Sequence, residues 1–469
     1  MRKIVTLVVC LAVATFFAML LFYLPALAQS QLSLQAKDPG VRAGSVNAGP
    51  ALSTLSPGQS QYFTDGLVRF NEVDQVENGL GPTFNSNSCA SCHAQPAAGG
   101  SSPRADQYPN IGPNPQIEAA SAGGATNRVP FFITSDGPVR EARFPFVVTF
   151  GGSLTKTPDG GVHALFTIAG RGDAGNCSLA QPNFEQMAQL HNLIFRIPTP
   201  VFGAGLIENI ADVTILANMR ANSFLKGRLG ISGHPNFSGN DGTITRFGWK
   251  AQNKSLEIFT GEAYNVEMGV TNELFPDERG TPPAACLINP TPEDVTNFDL
   301  SGDQIPSDVV GFSHFMRFLA PPAQSSQGIP GNPPLSSIQN GQALFSQIHC
   351  DTCHTPAMQT ATSKLTPALS NQTAALFSDL LVHHMGAGLA DNVSQGSAGP
   401  DEFRTAPLWG LGQRIFFLHD GRSGPANGGL MHAIEQHASS GSEANTVISN
   451  FNQLSTQQRQ DLLNFLRSL

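Results

Sequence analysis

Cys89-Ala90-Ser91-Cys92-His93 and Cys350-Asp351-Thr352-Cys353-His354 are two copies of one pattern: two thiols three positions apart, followed at once by an imidazole. Cysteines at this spacing reach the two vinyl groups of one haem, and the adjacent histidine presents its ring to the iron as proximal ligand. With 7 Cys and 12 His in 469 residues, composition alone yields about 0.003 such motifs, so two copies are not accidental. A redox Cys-x-x-Cys or half of a zinc site would use the same thiols, but neither requires the following His.

The flanks of the motifs also repeat. Residues 61–73 read as a helix carrying Gly66 and Phe70, and residues 338–348 read as a helix carrying Gly341 and Phe345, each running toward a motif. Residues 308–319 and 458–469 are amphipathic, and Ser455 with Gln458 forms a capping box before the second of them. Helix, motif, loops and closing helix is the layout of a cytochrome c domain, present here twice. The expected class is therefore mainly α, with an N-terminal haem domain at 56–320, a Pro/Gly/Ser-rich linker at 321–337 and a C-terminal cytochrome c domain at 338–469. Between 112 and 290 the first domain holds short β-like runs, 144–150 and 162–168, which read as a long insertion carrying a small sheet.

Arg2 and Lys3 precede an apolar run from 4 to 24, and Ala26-Leu27-Ala28 supplies a small-x-small cleavage pattern, so 1–28 reads as a secretion signal and the protein as periplasmic. The same run is long enough to remain as an uncleaved membrane anchor. Cys10 lies within it without the small residues of a lipoprotein box. Residues 29–55 are small and polar and read as a leader that drapes over the surface or stays mobile. Cys177 and Cys286, the cysteines outside the motifs in the exported chain, are free to pair or to stay as two buried thiols. The 40% apolar content is that of a globular protein. Acidic residues exceed basic ones by nine and no Lys/Arg-rich block occurs, which excludes a nucleic-acid or anionic-lipid footprint.

Two haems are useful together only if they differ, and the sixth ligand decides that. For the second haem the candidates are His383, His384, Met385, His419, His432 and His437. After His93 no His occurs before His163 and no Met before Met187, which points to an open first haem.

Three strings carry a resemblance: Phe403-Arg404-Thr405-Ala406-Pro407-Leu408-Trp409-Gly410-Leu411-Gly412, Phe417-Leu418-His419-Asp420-Gly421-Arg422 and Ala433-Ile434-Glu435-Gln436-His437. With Gly79-Leu80-Gly81-Pro82-Thr83-Phe84-Asn85, Gly205-Leu206-Ile207-Glu208, Arg246-Phe247-Gly248-Trp249-Lys250 and Ser378-Asp379-Leu380-Leu381-Val382-His383-His384-Met385-Gly386, the chain after Leu55 resembles the di-haem oxidoreductase family. That family is related to bacterial di-haem cytochrome c peroxidases and to rubber oxygenases. The resemblance implies His437 as sixth ligand of the second haem, in a slot where peroxidases use Met; a His that merely caps its helix is the other reading. It leaves Met385 as the fallback ligand and His419 near the haem edge. It makes Trp249 the relay between the haems, where an ordinary core Trp is the alternative. It sets the helix of residues 256–267 over the first haem, with Phe259 in a slot where peroxidases carry Gln, and Glu267 as the proton-transferring acid at a spacing two residues shorter. Glu208 is a second acid. Ile197 and Phe416 stand where ligands of an inter-domain calcium would be, which leaves calcium in doubt.

The expected function is that of a peroxidase-like di-haem oxidoreductase, taking electrons at the C-terminal haem from a small protein such as a cytochrome c or cupredoxin and using them on an oxidant at the N-terminal haem. A dioxygenase cleaving an apolar substrate, with Phe259 lining a dry pocket, is one alternative. A non-enzymatic di-haem electron carrier is the other.

Overall fold

The computed structural model describes residues 35–44, 48–103, 114–149, 151–302 and 304–469. The secretion signal expected at 1–28, with Cys10 and its alternative as an anchor, lies outside the described residues. Among the described residues no helix is long and apolar enough to cross a membrane.

The chain is mainly helical, with strands of only two to five residues. The helix expected at 61–73 runs from Pro57 to Asn71 (Pro57–Asn71): Ser56 caps it, Gln59 closes the capping box and Pro57 sets the first turn. It packs across the closing helix Asp308–Phe318, and the second leading helix, Leu335–Gln347, packs across Thr456–Ser468. Both crossings are made at a glycine. A Cβ on Gly66 would lie 2.2 Å from the Gly311 carbonyl oxygen, and one on Gly341 would lie 2.0 Å from that of Asp461. One turn on, Phe70 meets Phe315 at 4.7 Å and Phe345 meets Phe465 at 5.5 Å. The same two rings reach the motif histidines, Phe70 to His93 at 6.1 Å and Phe345 to His354 at 6.3 Å. The recurring Gly-x-x-x-Phe is thus a physical unit: glycine lets two helices touch backbone to backbone, and phenylalanine backs the motif imidazole.

Gly341→Ala is expected to destabilise the chain by about 1–3 kcal/mol or more, because the methyl meets a backbone carbonyl that no rotamer change can move. Gly227→Ala is the control, since a Cβ there meets nothing within 4 Å; it changes stability by less than about 1 kcal/mol, in the stabilising direction. Denaturant unfolding of the two variants beside the unsubstituted protein separates these outcomes.

The strands differ from the β-like runs. Pro145 interrupts the first, so Glu141–Arg143 lies before it and Phe146–Val148 pairs separately with Leu154–Pro158. The second run splits into Val162–His163 and Phe166–Thr167. Glu141–Arg143 is the middle strand of an antiparallel trio between Val162–His163 and Ile194–Arg196, with Glu141 opposite Arg196. Period-2 alternation turns Ala142 into the core and sends Glu141 and Arg143 the other way.

Three further expectations are refined or corrected. Cys177 and Cys286 are joined in a disulfide. The helix at Leu335 begins inside the stretch 321–337, and Ser337 bonds Asp461 on the last helix. The leader, in its described part, is tied down: Arg42 is 2% exposed and donates to the Ser468 carbonyl, while Asp38 pairs with Arg467 and accepts the Leu430 N–H at 2.8 Å. Burial raises the Asp38 carboxyl, but hydrogen bonds from Arg467 and its charge outweigh that and hold it below the usual range.

Candidate functional site

Each motif lines a deep cavity, of about 170 Å³ around His93 and about 230 Å³ around His354. A narrow gap of about 30 Å³ lies between them, and Trp249 lines all three spaces. Its indole N–H donates to the Ile197 carbonyl at 2.8 Å, which fixes the ring in that position. Beyond it, His419 lies edge-on at 6.4 Å and stacks on Phe403 at 4.2 Å, with Lys250 Nζ 4.1 Å over the Phe403 ring. His419 therefore meets the second cavity through stacking.

The motif side chains have the chemistry of haem ligands. His93 Nδ1 faces the Gly100 carbonyl at 3.1 Å and His354 Nδ1 faces that of Phe377 at 3.0 Å, so each Nδ1–H donates and each Nε2 keeps a lone pair for the cavity. Burial pulls both imidazoles down to about 4, the neutral form that binds a metal. The cavity walls test the fit independently. Arg404 and Arg414 are buried and line the second cavity and the gap, and among the described residues their guanidinium groups donate only to the carbonyls of Gly248 and Pro407. Burial lowers both to about 10, and among the described residues no acid opposes it and Arg414 Nε has no partner. Arg140 on the first cavity likewise leaves Nε unpartnered. Buried guanidiniums without counter-ions are costly, and the propionates of a haem are the anions such a cavity lacks. The residues fit haem at both places.

Around His354, the second cavity also receives His437, Met385, His383 and His419. His437, just past the helix Leu430–Glu435, donates Nδ1–H to the Ala433 carbonyl at 2.7 Å, which leaves Nε2 free. It thus caps its helix and keeps a ligand lone pair as well. His383 has both nitrogens engaged, by Glu443 at 2.8 Å and Asp379 at 3.0 Å. His432 bonds Ser423 Oγ and does not line the cavity, and neither does His384.

Around His93 the lining holds no second histidine among the described residues. Met268 and Met316 reach it from far along the chain, Met268 Sδ lying 3.9 Å from Cys89 Sγ. The helix expected at 256–267 is α over Leu256–Ala263 and then a π-turn, Tyr264–Met268, a deformation common at functional sites. The turn ends at Gly269, φ +79°, where a Cβ would lie 2.5 Å from the Thr83 carbonyl. This delivers Glu267 to the cavity, held by Asn85, whose amide donates to Oε2 at 2.7 Å while its backbone N–H donates to the Glu267 carbonyl at 2.7 Å. Phe259 lines the same cavity, parallel to Phe247 at 5.9 Å.

Glu208 does not line either haem cavity: it ion-pairs with Arg317 at 2.7 Å and accepts the Leu256 N–H at 2.8 Å, capping the helix that leads to Glu267. Its short acidic motif serves packing, and a different acid stands where a second one was expected. Glu141 lines the cavity beside Glu267, bonded by Arg143 at 2.6 Å, with Arg196 opposite it in the sheet. Burial raises the Glu267 carboxyl to about 8, with repulsion from Glu141 adding to it. Burial also acts on Glu141, but Arg143 and Arg196 outweigh it and hold that carboxyl low. The two carboxyl groups are thus pushed apart, Glu267 toward its protonated form and Glu141 toward its charged form. Sequence reasoning missed Glu141 and Arg143; the one signal that could have pointed to them is the pair of charges alternating around Ala142 in a chain only 13% charged. Where calcium was in doubt, Ile197, Ile415 and Phe416 form an apolar cluster with Val41 and Trp249.

The sequence model of the family described as "Di-haem oxidoreductase, putative peroxidase" matches residues 165–469. That span includes the second motif, Trp249, Glu267 and His437, and begins after the first motif. Among solved structures, the chain is similar to hydrazine synthase of Kuenenia stuttgartiensis, at 18% identity over 34% of this chain and 55% of that one, TM-score 0.21. It therefore spans just over half the length of that protein chain. It is also similar to a MauG-like protein associated with microbial copper homeostasis, at 15% identity over 58% of this chain and 91% of that one, TM-score 0.27. No curated protein matches the sequence.

Proposed function

Because the chain belongs to the di-haem oxidoreductase family, we propose that it is an exported, periplasmic peroxidase-like enzyme in which electrons enter at the His354 haem and reduce a small polar oxidant at the His93 haem. The observation that carries this reading is the Glu267–Glu141 carboxyl pair in the His93 cavity, with Trp249 shared between that cavity and the next.

Cys89, Cys92 and His93 would hold one haem and Cys350, Cys353 and His354 the other, each covalently, in two cytochrome c-like domains at 56–320 and 338–469. A haem held by Cys89, Cys92 and His93 would supply redox chemistry for splitting a peroxide O–O bond, drawing its electrons from the His354 side. The chain supplies the rest. Glu267 holds a proton at neutral pH and can release it to the leaving oxygen, while Arg143 and Asn85 fix the two carboxyl groups. Phe259 and Phe247 close one side against water. Arg140, Glu141, Arg143 and Arg196 make the wall charged, which suits a hydrophilic oxidant and disfavours the apolar substrate of a dioxygenase. The donor is a small electron-transfer protein, a cytochrome c or a cupredoxin.

Two measurements test this. Mass spectrometry of the denatured mature protein is expected to show two retained haems, one lost with Cys89→Ser/Cys92→Ser and the other with Cys350→Ser/Cys353→Ser; bound zinc or no haem sinks the reading. Trp249→Phe is expected to leave both haem spectra in place and slow re-reduction of the His93 haem by the His354 haem in stopped flow. Unchanged inter-haem transfer would make Trp249 an ordinary core residue.

A further inference from the structure

Two short helices, Asp212–Arg220 and Ser223–Leu229, meet at a corner where Asn222 takes the left-handed conformation, φ +53°. Both lie against the second motif. Asn218 exchanges hydrogen bonds with the Thr355 hydroxyl, one residue past His354, at 3.1 and 3.3 Å. Leu225 and Leu229, one turn apart on a single helix face, join Ile231 and Val447 in an apolar cluster with Cys350 and Cys353. The helix pair therefore stands at the cysteine edge of the second cavity.

Its outer face is unlike the rest of the surface. Phe224, one position off the Leu225/Leu229 face, is 79% exposed. Arg220 and Arg228, four positions to either side of it in sequence, are exposed too, and their side chains make no ion pair or hydrogen bond among the described residues. Between Asp212 and Asp241 the chain carries three basic residues and no acidic one, although its net charge is −9. The third, Lys226, donates to the Asn218 and Met219 carbonyls at 2.9 and 3.0 Å and holds the corner. Of the acids beside this face, Glu443 is committed to Ser232 and His383, and Asp351 is half-buried within the motif. Salt screens the remote acidic surface beyond about 10 Å, so an approaching protein meets the local sign, which is positive. An aromatic ring among arginines is the composition of a protein-binding patch, and its charge selects an acidic partner. A second copy of the chain fits poorly, because a two-fold contact would set these arginines against their own copies.

We propose that the outer face of the two helices, with Phe224 as anchor and Arg220 and Arg228 as rim, is the docking surface for the electron donor, and that the donor presents an acidic face around its redox centre. This rests on the reading that electrons enter at the His354 haem, and it adds the place of contact and the charge of the partner. Each encounter passes one electron, the partner's centre being oxidised by one and the His354 haem reduced by one.

The full-length holoprotein is titrated at low ionic strength with zinc-substituted plastocyanin, an acidic cupredoxin made redox-inert, and followed by nuclear magnetic resonance. Binding is expected, and it should weaken steeply as salt is added. Arg220→Glu/Arg228→Glu and Phe224→Ser are each expected to weaken it by about 10-fold or more. The three side chains are exposed, so unchanged haem spectra and circular dichroism serve as the check on folding. With the copper(II) form, the reduced holoprotein gives up one electron and copper(II) becomes copper(I); stopped flow should show the same loss of rate in both variants, while oxidation by a small neutral quinone stays unchanged. Absence of plastocyanin binding, or equal affinity in the protein and both variants, overturns the proposal. Self-association that Phe224→Ser abolishes, or binding to anionic vesicles that Arg220→Glu/Arg228→Glu abolishes, with plastocyanin binding untouched in that variant, gives the face to another occupant and overturns it as well. None of these readouts uses peroxide. A protein that binds plastocyanin but turns over no peroxide fails only the peroxidase reading, and one that turns over peroxide yet ignores plastocyanin fails only this proposal.

Discussion

Glu267→Gln is expected to leave both haem spectra intact and to slow peroxide turnover by about 10²–10⁴. The substitution keeps the shape of the side chain and the contact with Asn85, and removes only the transferable proton. The pH dependence gives the sign. Burial first, and Glu141 second, raise the Glu267 carboxyl from 4.5 to about 8, so the proton donor is present at neutral pH and is lost as pH rises through about 8. Turnover should therefore carry an alkaline limb near 8, absent from the residual activity of Glu267→Gln. The same shift bears on stability: the folded carboxyl keeps a proton that the unfolded one releases, so the stability it contributes is full below about 4.5 and declines as pH rises toward 8. Glu141→Gln removes the adjacent negative charge and should move the limb to lower pH. A full-rate Glu267→Gln enzyme, or a limb that Glu141→Gln leaves in place, would remove the pair from the proton path.

Much of the frame was legible because it is written in local spacing. The two motifs specify their chemistry within five residues, and Gly66/Phe70 and Gly341/Phe345 carry the crossing geometry within one helical turn. What was not legible depends on partners far along the chain. Residues 29–55 look like a polar leader, yet Arg42 and Asp38 find the last helix more than 400 positions later. The run 144–150 looks like one strand, but Pro145 breaks it and the Asn192 side chain takes over a strand's role, exchanging hydrogen bonds with the Phe146 backbone at 2.9 and 2.7 Å. Glu208 looked acidic enough for chemistry until Arg317 was placed beside it. Glu141 became a site residue only when strand order set it opposite Arg196. His384 was in view as a haem ligand, and period-2 geometry alone turns it from the cavity that His383 and Met385 line toward Glu402 and His234.

His437→Ala is expected to convert the low-spin haem held by His354 into a form that binds exogenous imidazole or cyanide, while His432→Ala leaves the spectrum unchanged. The argument is one of elimination by hydrogen bonding. His383 spends both ring nitrogens on Asp379 and Glu443, His432 points to Ser423 outside the cavity, and His419 lies flat on Phe403. His437 alone among these histidines shares the cavity with His354 while its Nδ1–H is occupied by the Ala433 carbonyl and its Nε2 is left over. Burial lowers its pKa, favouring the neutral ring a metal requires. Losing the bond to Ala433 removes only about 0.5–1.5 kcal/mol of helix capping, too little to unfold the domain. Rescue separates the two roles of the side chain: added imidazole restores a low-spin spectrum if His437 is the ligand, and does nothing for a lost cap. With His354 and His437 both as ligands this haem would lie below the potential of a His/Met haem, so His437→Met is expected to raise its midpoint. If Met385→Ala alone produces the high-spin change, Met385 is the ligand and His437 serves only its helix.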